Sequence, residues 1–171
     1  IPIQLLVLNL LTDGAPALAL GMEKGDPDIM QQRPRAVHEP IINREMVIGI
    51  VVQTLAISIA VLTAFQIGMN SGMEHGRTMA FATLSISELL RAYTSRSERY
   101  AVWDIGIFSN KLMQWAVLAS LVILLAIIYV PFLDPIFGTT FLTVQDWLIM
   151  LPLILIPSIA AEVNKWVLRK I

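Results

Sequence analysis

Residues Met46–Met69 read MVIGIVVQTLAISIAVLTAFQIGM, 24 residues without a charged side chain. At about 1.5 Å of rise per residue, a helix of that length exceeds a hydrocarbon core about 30 Å thick. This run predicts a membrane-spanning helix, and the rest of the chain follows the same logic. The stretch 112–133 holds 22 uncharged residues, with Trp115 and Tyr129 near its ends. Amphipathic rings favour the membrane–water boundary. The stretch 147–161 is apolar over 15 residues, and Val163, Trp166 and Val167 extend it past Glu162 to a span over 146–168. Pro152 and Pro157 predict a bend there, which is tolerated where neighbouring helices satisfy the freed carbonyls.

Composition agrees. Of 171 residues, 56% are hydrophobic and 15% charged, against about 25% charged in soluble domains. Too few polar residues remain to cover a soluble globule, and a disordered chain needs the opposite bias. The net charge of −1 offers no basic surface for nucleic acid. Without cysteine there is no disulfide framework, thiolate ligand or cysteine nucleophile. Residues 1–11 lack the basic start and small-residue cleavage site of a secretory signal. The chain opens at Ile1 inside an apolar stretch and reads as a piece of a longer protein.

Two further segments are apolar but interrupted. Residues 1–22 contain Asp13, Gly14 and Pro16, and 78–94 contains Glu88 and Arg91. Cytoplasmic loops collect Lys and Arg, and this tests whether both cross. With five spans (2–21, 46–69, 78–94, 112–133 and 146–168), one side receives Lys24, Arg33, Arg35, Arg44, Arg91, Arg96, Arg99, Lys111, Lys165, Arg169 and Lys170. That is eleven of the twelve basic residues, and only Arg77 falls on the other side. Omitting either interrupted span scrambles the split. The expected fold is therefore an all-α, five-helix transmembrane bundle with cytoplasmic loops 23–45 and 95–110, a cytoplasmic C-terminus and membrane lipid as its surroundings.

An ionisable group at mid-membrane is costly and points to function. Asp13 lies about 17 Å into the first span and Glu88 about 15 Å into the third, counted at 1.5 Å per residue. Both depths fall at the midplane, and two carboxylates there suit a hard cation with oxygen ligands. Asn9, Thr12 and Asp13 share a helical face through their i,i+3 and i,i+4 spacing. Gly14 and Pro16 weaken the helix beside them, so the first helix is expected to be unwound near mid-membrane. The structural alternatives are a simple proline kink, and a Glu88–Arg91 pair at i,i+3. Glu162 has Lys165 at i+3 near a helix end and reads as a surface or interfacial salt bridge. His38 and His75 read as solvated loop residues, and Ser85 and Ser87 as helix-packing contacts with spare hydroxyls. The eight Met read as apolar filler.

The stretch NLLTDGAPALALG at 9–21, with Asp26-Pro-Asp-Ile-Met30 and Arg33-Pro-Arg35, resembles the sixth transmembrane helix and following cytoplasmic loop of P-type cation ATPases. It is most similar to the sarcoplasmic-reticulum-type calcium pumps and their bacterial relatives. The Ser87–Tyr93 region SELLRAY resembles helix eight, and AEVNKW at 161–166 resembles the end of helix ten. The resemblance implies helices six to ten of a ten-helix pump in a prokaryotic plasma membrane. It implies Ca2+ as transported ion, with Asn9, Thr12, Asp13 and Glu88 as ligands and Asp13 central. It also implies that Asp26, Asp28, Arg33 and Arg35 belong to a loop meeting the phosphorylation domain. Mg2+ and ATP would bind only in the full-length pump, whose remaining domains are the implied partners. The family's Asp-Lys-Thr-Gly phosphorylation motif is absent here, so this piece alone is expected to be inactive. Arg91 is basic where the muscle-type pump is neutral. Two other readings of the midplane carboxylates are a secondary transporter or channel half, driven by a gradient alone, and an accessory membrane scaffold.

Overall fold

The computed structural model describes residues 1–26, 28–31, 42, 44–97 and 99–168, and for Thr12, Asp13, Glu45 and Leu168 the backbone alone. Helices account for its regular structure, and no strand occurs among the described residues. In chain order they are α1 (Pro2–Asn9), a π-helical turn (Leu10–Gly14), α2 (Ala15–Gly21), a 3-10 turn (Ile29–Gln31), α3 (Arg44–Met69), α4 (Met73–Thr94), α5 (Val102–Ile105), α6 (Lys111–Tyr129), α7 (Asp134–Phe137) and α8 (Val144–Leu168). Among the described residues, three helices are long and apolar enough to cross a membrane: Met46–Met69, Lys111–Tyr129 and Val144–Val167. The protein is an all-α membrane protein. Helix α4 has the length, but Glu74, Arg77, Glu88 and Arg91 interrupt its apolar character.

Small residues set the packing of α3. Ala56, Ala60, Ala64 and Gly68 recur every fourth residue and all are buried, which lets a neighbouring backbone come close. The approach is tightest at the α3–α4 turn. A Cβ on Gly68 would stand 2.7 Å from the Gly76 Cα, and one on Gly76 would stand 3.0 Å from the Phe65 carbonyl oxygen. Gly72 closes the turn at φ +124°, where L side chains are strained. Helices α3, α4 and α8 form one packed group. Met79, Leu124, Ile128, Leu142 and Met150 fill the main core, with Leu11 of the π turn reaching into it.

Two boundaries differ from the sequence reading. Helix α4 begins at Met73 rather than Thr78. Helix α6 stops at Tyr129 rather than continuing to 133, because Val130 precedes Pro131 and takes the extended conformation, φ −91° and ψ 110°. The chain turns there into α7, which ends on Gly138 in the left-handed conformation at φ +58°. Helix α8 opens with a reciprocal cap: Thr143 Oγ1 accepts from the Asp146 N–H at 3.3 Å, and Asp146 Oδ2 accepts from the Thr143 N–H at 2.7 Å. It continues through Pro152 and Pro157.

Candidate cation site and its supports

The first helix does not unwind into extended chain at Gly14. It widens into the π turn Leu10–Gly14, and Gly14 leaves helical geometry at ψ −95° before α2 resumes with Pro16 in its first turn. Widening absorbs the weak point while keeping most backbone bonds. One bond is necessarily lost. In the i→i+5 register the carbonyl of Leu11 faces the nitrogen of Pro16, which has no hydrogen. The Ser120 hydroxyl of α6 donates to that carbonyl at 2.8 Å, in a buried setting. A hydroxyl from a neighbouring helix thus satisfies the orphan. Ser120 was not among the residues singled out from sequence, although it is the only Ser or Thr of 112–133.

The same pattern repeats along this segment. Gln4, buried, donates to the Phe137 carbonyl at 3.0 Å. Asn110 Nδ2 donates to the Ala19 carbonyl at 3.0 Å, near the end of α2, and to Glu23 Oε2 at 2.8 Å. Its Oδ1 accepts from the Met113 N–H at 2.9 Å and so caps α6. Arg96 closes the cluster. Its Nε and Nη2 donate to the two Glu23 oxygens at 2.8 Å each, Nη1 donates to the Gly106 carbonyl at 2.9 Å, and Nη2 also reaches Ser109 Oγ. The Arg96 side chain is wholly buried. Arg96 holds the Glu23 carboxyl below the usual carboxylate range, with Asn110 assisting and burial opposing. No spacing rule finds this clamp, because 73 residues separate Glu23 from Arg96.

Of the sequence-predicted ligands, Asn9 is exposed at the end of α1, on the face that also carries Leu5, Leu6 and Leu10. The side chains of Thr12 and Asp13 lie outside the described residues. The π turn packs against α4, which carries Glu88. Glu88 is half-buried and paired with Arg91, Nη1 to Oε2 at 3.4 Å. Ser87 donates to the Ile154 carbonyl of α8 at 3.4 Å, a packing contact one turn before Pro157. Thr83 and Ser85 are buried, and their hydroxyls have no hydrogen-bond partner among the described residues. No group of three His, Cys, Asp or Glu gathers as a metal cluster among the described residues.

Other expectations shift. His75 is not a solvated loop residue: it lies in the first turn of α4, with Nε2 3.2 Å from Asp146 Oδ1 at the start of α8. His38 lies outside the described residues. The Glu162–Lys165 pair forms at 3.0 Å. It is not at the surface, for Lys165 is buried and also donates to the Thr94 and Tyr100 carbonyls at 2.6 and 3.3 Å. In the following loop, Asp26 and Asp28 open the 3-10 turn, their carbonyls accepting from Ile29 and Gln31 at 3.1 and 2.9 Å. Arg33 and Arg35 lie outside the described residues.

Comparison with known proteins bears on the whole chain. The family described as cation transporting ATPase, C-terminus, matches residues 1–167. A calcium-transporting ATPase of Bacillus subtilis is 37% identical over 161 residues, covering 92% of this chain and 18% of that protein. Calcium-transporting ATPase 1 of Yarrowia lipolytica is 36% identical over 173 residues, covering 98% of the chain and 18% of that protein. The human calcium-transporting ATPase type 2C member 1 is 33% identical over 168 residues, covering 97% and 18%. The chain thus spans under one fifth of the length of these relatives. It belongs to the cation-transporting ATPase family, and it is the C-terminal membrane region of such a protein.

Proposed function

We propose that this chain supplies helices six to ten of an ATP-driven calcium pump. The spans are those read from the sequence, with 23–45, 95–110 and the C-terminus in the cytosol of a prokaryote. Asn9, Thr12, Asp13 and Glu88 contribute oxygen ligands to transported Ca2+, with Asp13 central. The observation that carries this reading is the π turn Leu10–Gly14, a local departure from α-helix at the segment bearing Thr12 and Asp13. Departures of this kind favour functional sites, and a loosened midplane helix exposes oxygen to an ion. Ca2+ takes roughly six to eight oxygens, more than these four residues bring. The exposed face of α1 around Asn9 leaves room for the rest, from parts of the pump that precede Ile1.

Glu88 is committed to Arg91 by one long contact, and the Arg91 side chain is 41% exposed. An arriving divalent cation replaces Arg91 as the partner of that carboxylate. The loop residues Asp26, Asp28, Arg33 and Arg35 face the phosphorylation domain, where ATP and Mg2+ act. The Arg96–Glu23 clamp then ties the cytosolic end of the ion helix to the 95–110 loop. Without the other domains the piece neither hydrolyses ATP nor completes the site. In the full-length protein, Asp13→Asn is expected to abolish calcium-dependent phosphorylation from ATP. Wild-type calcium affinity in that variant refutes the ligand assignment.

A further inference from the structure

A hydroxyl inside a helix commonly bonds its own helix. Thr63 and Thr78 do so, donating to the carbonyls of Ile59 and Glu74 four residues back at 2.7 and 2.9 Å. Ser120 of α6 reaches instead into another element. It donates to the Leu11 carbonyl at 2.8 Å, and both residues are buried.

That bond favours one register of the first segment over another. In the π register of 10–14 the carbonyl facing Pro16 is that of Leu11. In an unbroken α register the Leu11 carbonyl would take the Ala15 N–H, and the carbonyl facing Pro16 would be that of Thr12. Ser120 therefore satisfies an orphan in the π register and only an already bonded carbonyl in the α register. Packing leaves the choice open at Gly14, where an added Cβ would meet nothing within 4 Å among the described residues. The segment is pinned on either side, by Gln4 on the Phe137 carbonyl and by Asn110 on the Ala19 carbonyl. A change of register by one residue amounts to about 100° of rotation and about 1.5 Å of rise. It must be taken up between those pins, where Thr12 and Asp13 lie.

We propose that Ser120 is a positioning residue for the cation site. By holding the Leu11 carbonyl it keeps 10–14 in the π register, in which Thr12 and Asp13 reach the ion. Ser120 itself acts through the backbone and does not touch the ion. This role rests on the ion-site reading above and adds to it the group that sets the site's geometry.

The test is the calcium dependence of ATP hydrolysis by the full-length protein reconstituted in vesicles. Ser120→Ala is expected to raise the half-saturating calcium concentration about fivefold, the factor that one interhelical hydrogen bond contributes. The rate at saturating calcium is expected to stay close to wild type. Ser120→Thr, which keeps the hydroxyl, is expected to restore most of the affinity. Pro16→Ala supplies the N–H that the Leu11 carbonyl lacks, so in that background Ser120→Ala is expected to change the calcium dependence little. A mere loss of packing at Ser120 would shift it equally in both backgrounds, and that result overturns the proposal. Should the alanine variant fail to fold, Ser120→Cys, of similar size and with a weak donor, gives the same comparisons. An unchanged calcium dependence in Ser120→Ala, while Asp13→Asn abolishes the response, overturns the role of Ser120 and leaves the ion site standing. A wild-type response in Asp13→Asn overturns both.

Discussion

The α3–α4 hairpin and the α1–π–α2 segment are both buried along one side, yet they are held by different physics. The hairpin is held by shape. Ala56, Ala60, Ala64 and Gly68 let helices meet almost backbone to backbone, and a single Cβ at Gly68 would collide with the Gly76 Cα. The first segment packs Leu11 into the main core and Ala19 against Ala92, Met113 and Ala116, and adds polar clips: Gln4 on Phe137, Ser120 on Leu11, Asn110 on Ala19 and Arg96 on Glu23. Close packing leaves a helix no alternative position, whereas a few hydrogen bonds fix it at points and leave the stretches between them free to adjust. The hairpin is thus fixed by contact along its length, and the first segment by bonds at a few points.

The two regions can be disturbed separately. The largest effect is expected from Arg96→Met in the full-length protein. Removing one partner of a buried ion pair leaves the other charge stranded, at about 3 kcal/mol. Hydrogen exchange should rise over 15–23 while α3 and α4 stay protected. Equal loosening of both regions contradicts the division. Next comes Gly68→Val, expected to cost about 2–3 kcal/mol through overpacking. It should lower the thermal midpoint in detergent and expose α3 and α4, with the α2 end spared.

Ser120→Ala tests the π turn. An interhelical hydrogen bond in a membrane protein contributes about 1 kcal/mol, so a small fall in midpoint is expected, with faster exchange around Leu11. An unchanged exchange pattern means that the Leu11 carbonyl finds another donor.

The smallest effect over the ordinary working range is that of pH. Glu23 titrates below the usual carboxylate range in the folded protein. Its contribution is therefore fully present above the ordinary carboxylate pKa. It is lost as pH falls through the lowered folded value. A midpoint flat near neutrality and falling in acid is expected for wild type, and Arg96→Met should flatten the acid limb.

Much of this was legible in the residues. Uncharged runs such as Met46–Met69 declare themselves because a bilayer tolerates little else. The stop of α6 at Tyr129 was equally local: Pro131 forces Val130 out of the helix, and the longer span read from hydropathy overlooked it. The weak point at Gly14 and Pro16 was readable, but not its form as a π turn. That form depends on Ser120, 109 residues away, accepting the role of donor. His75 looked like a loop residue because its partner, Asp146, begins a different helix.

Which segments are too apolar for water, and the resemblance to a cation pump, follow from the residues alone. Those properties are sums over neighbouring residues. The packing of distant segments sets which group satisfies the Leu11 carbonyl, buries Lys165 and brings Arg96 onto Glu23. Each of these joins groups far apart in the chain, and in a medium without water a polar group must find such a partner wherever the fold brings one.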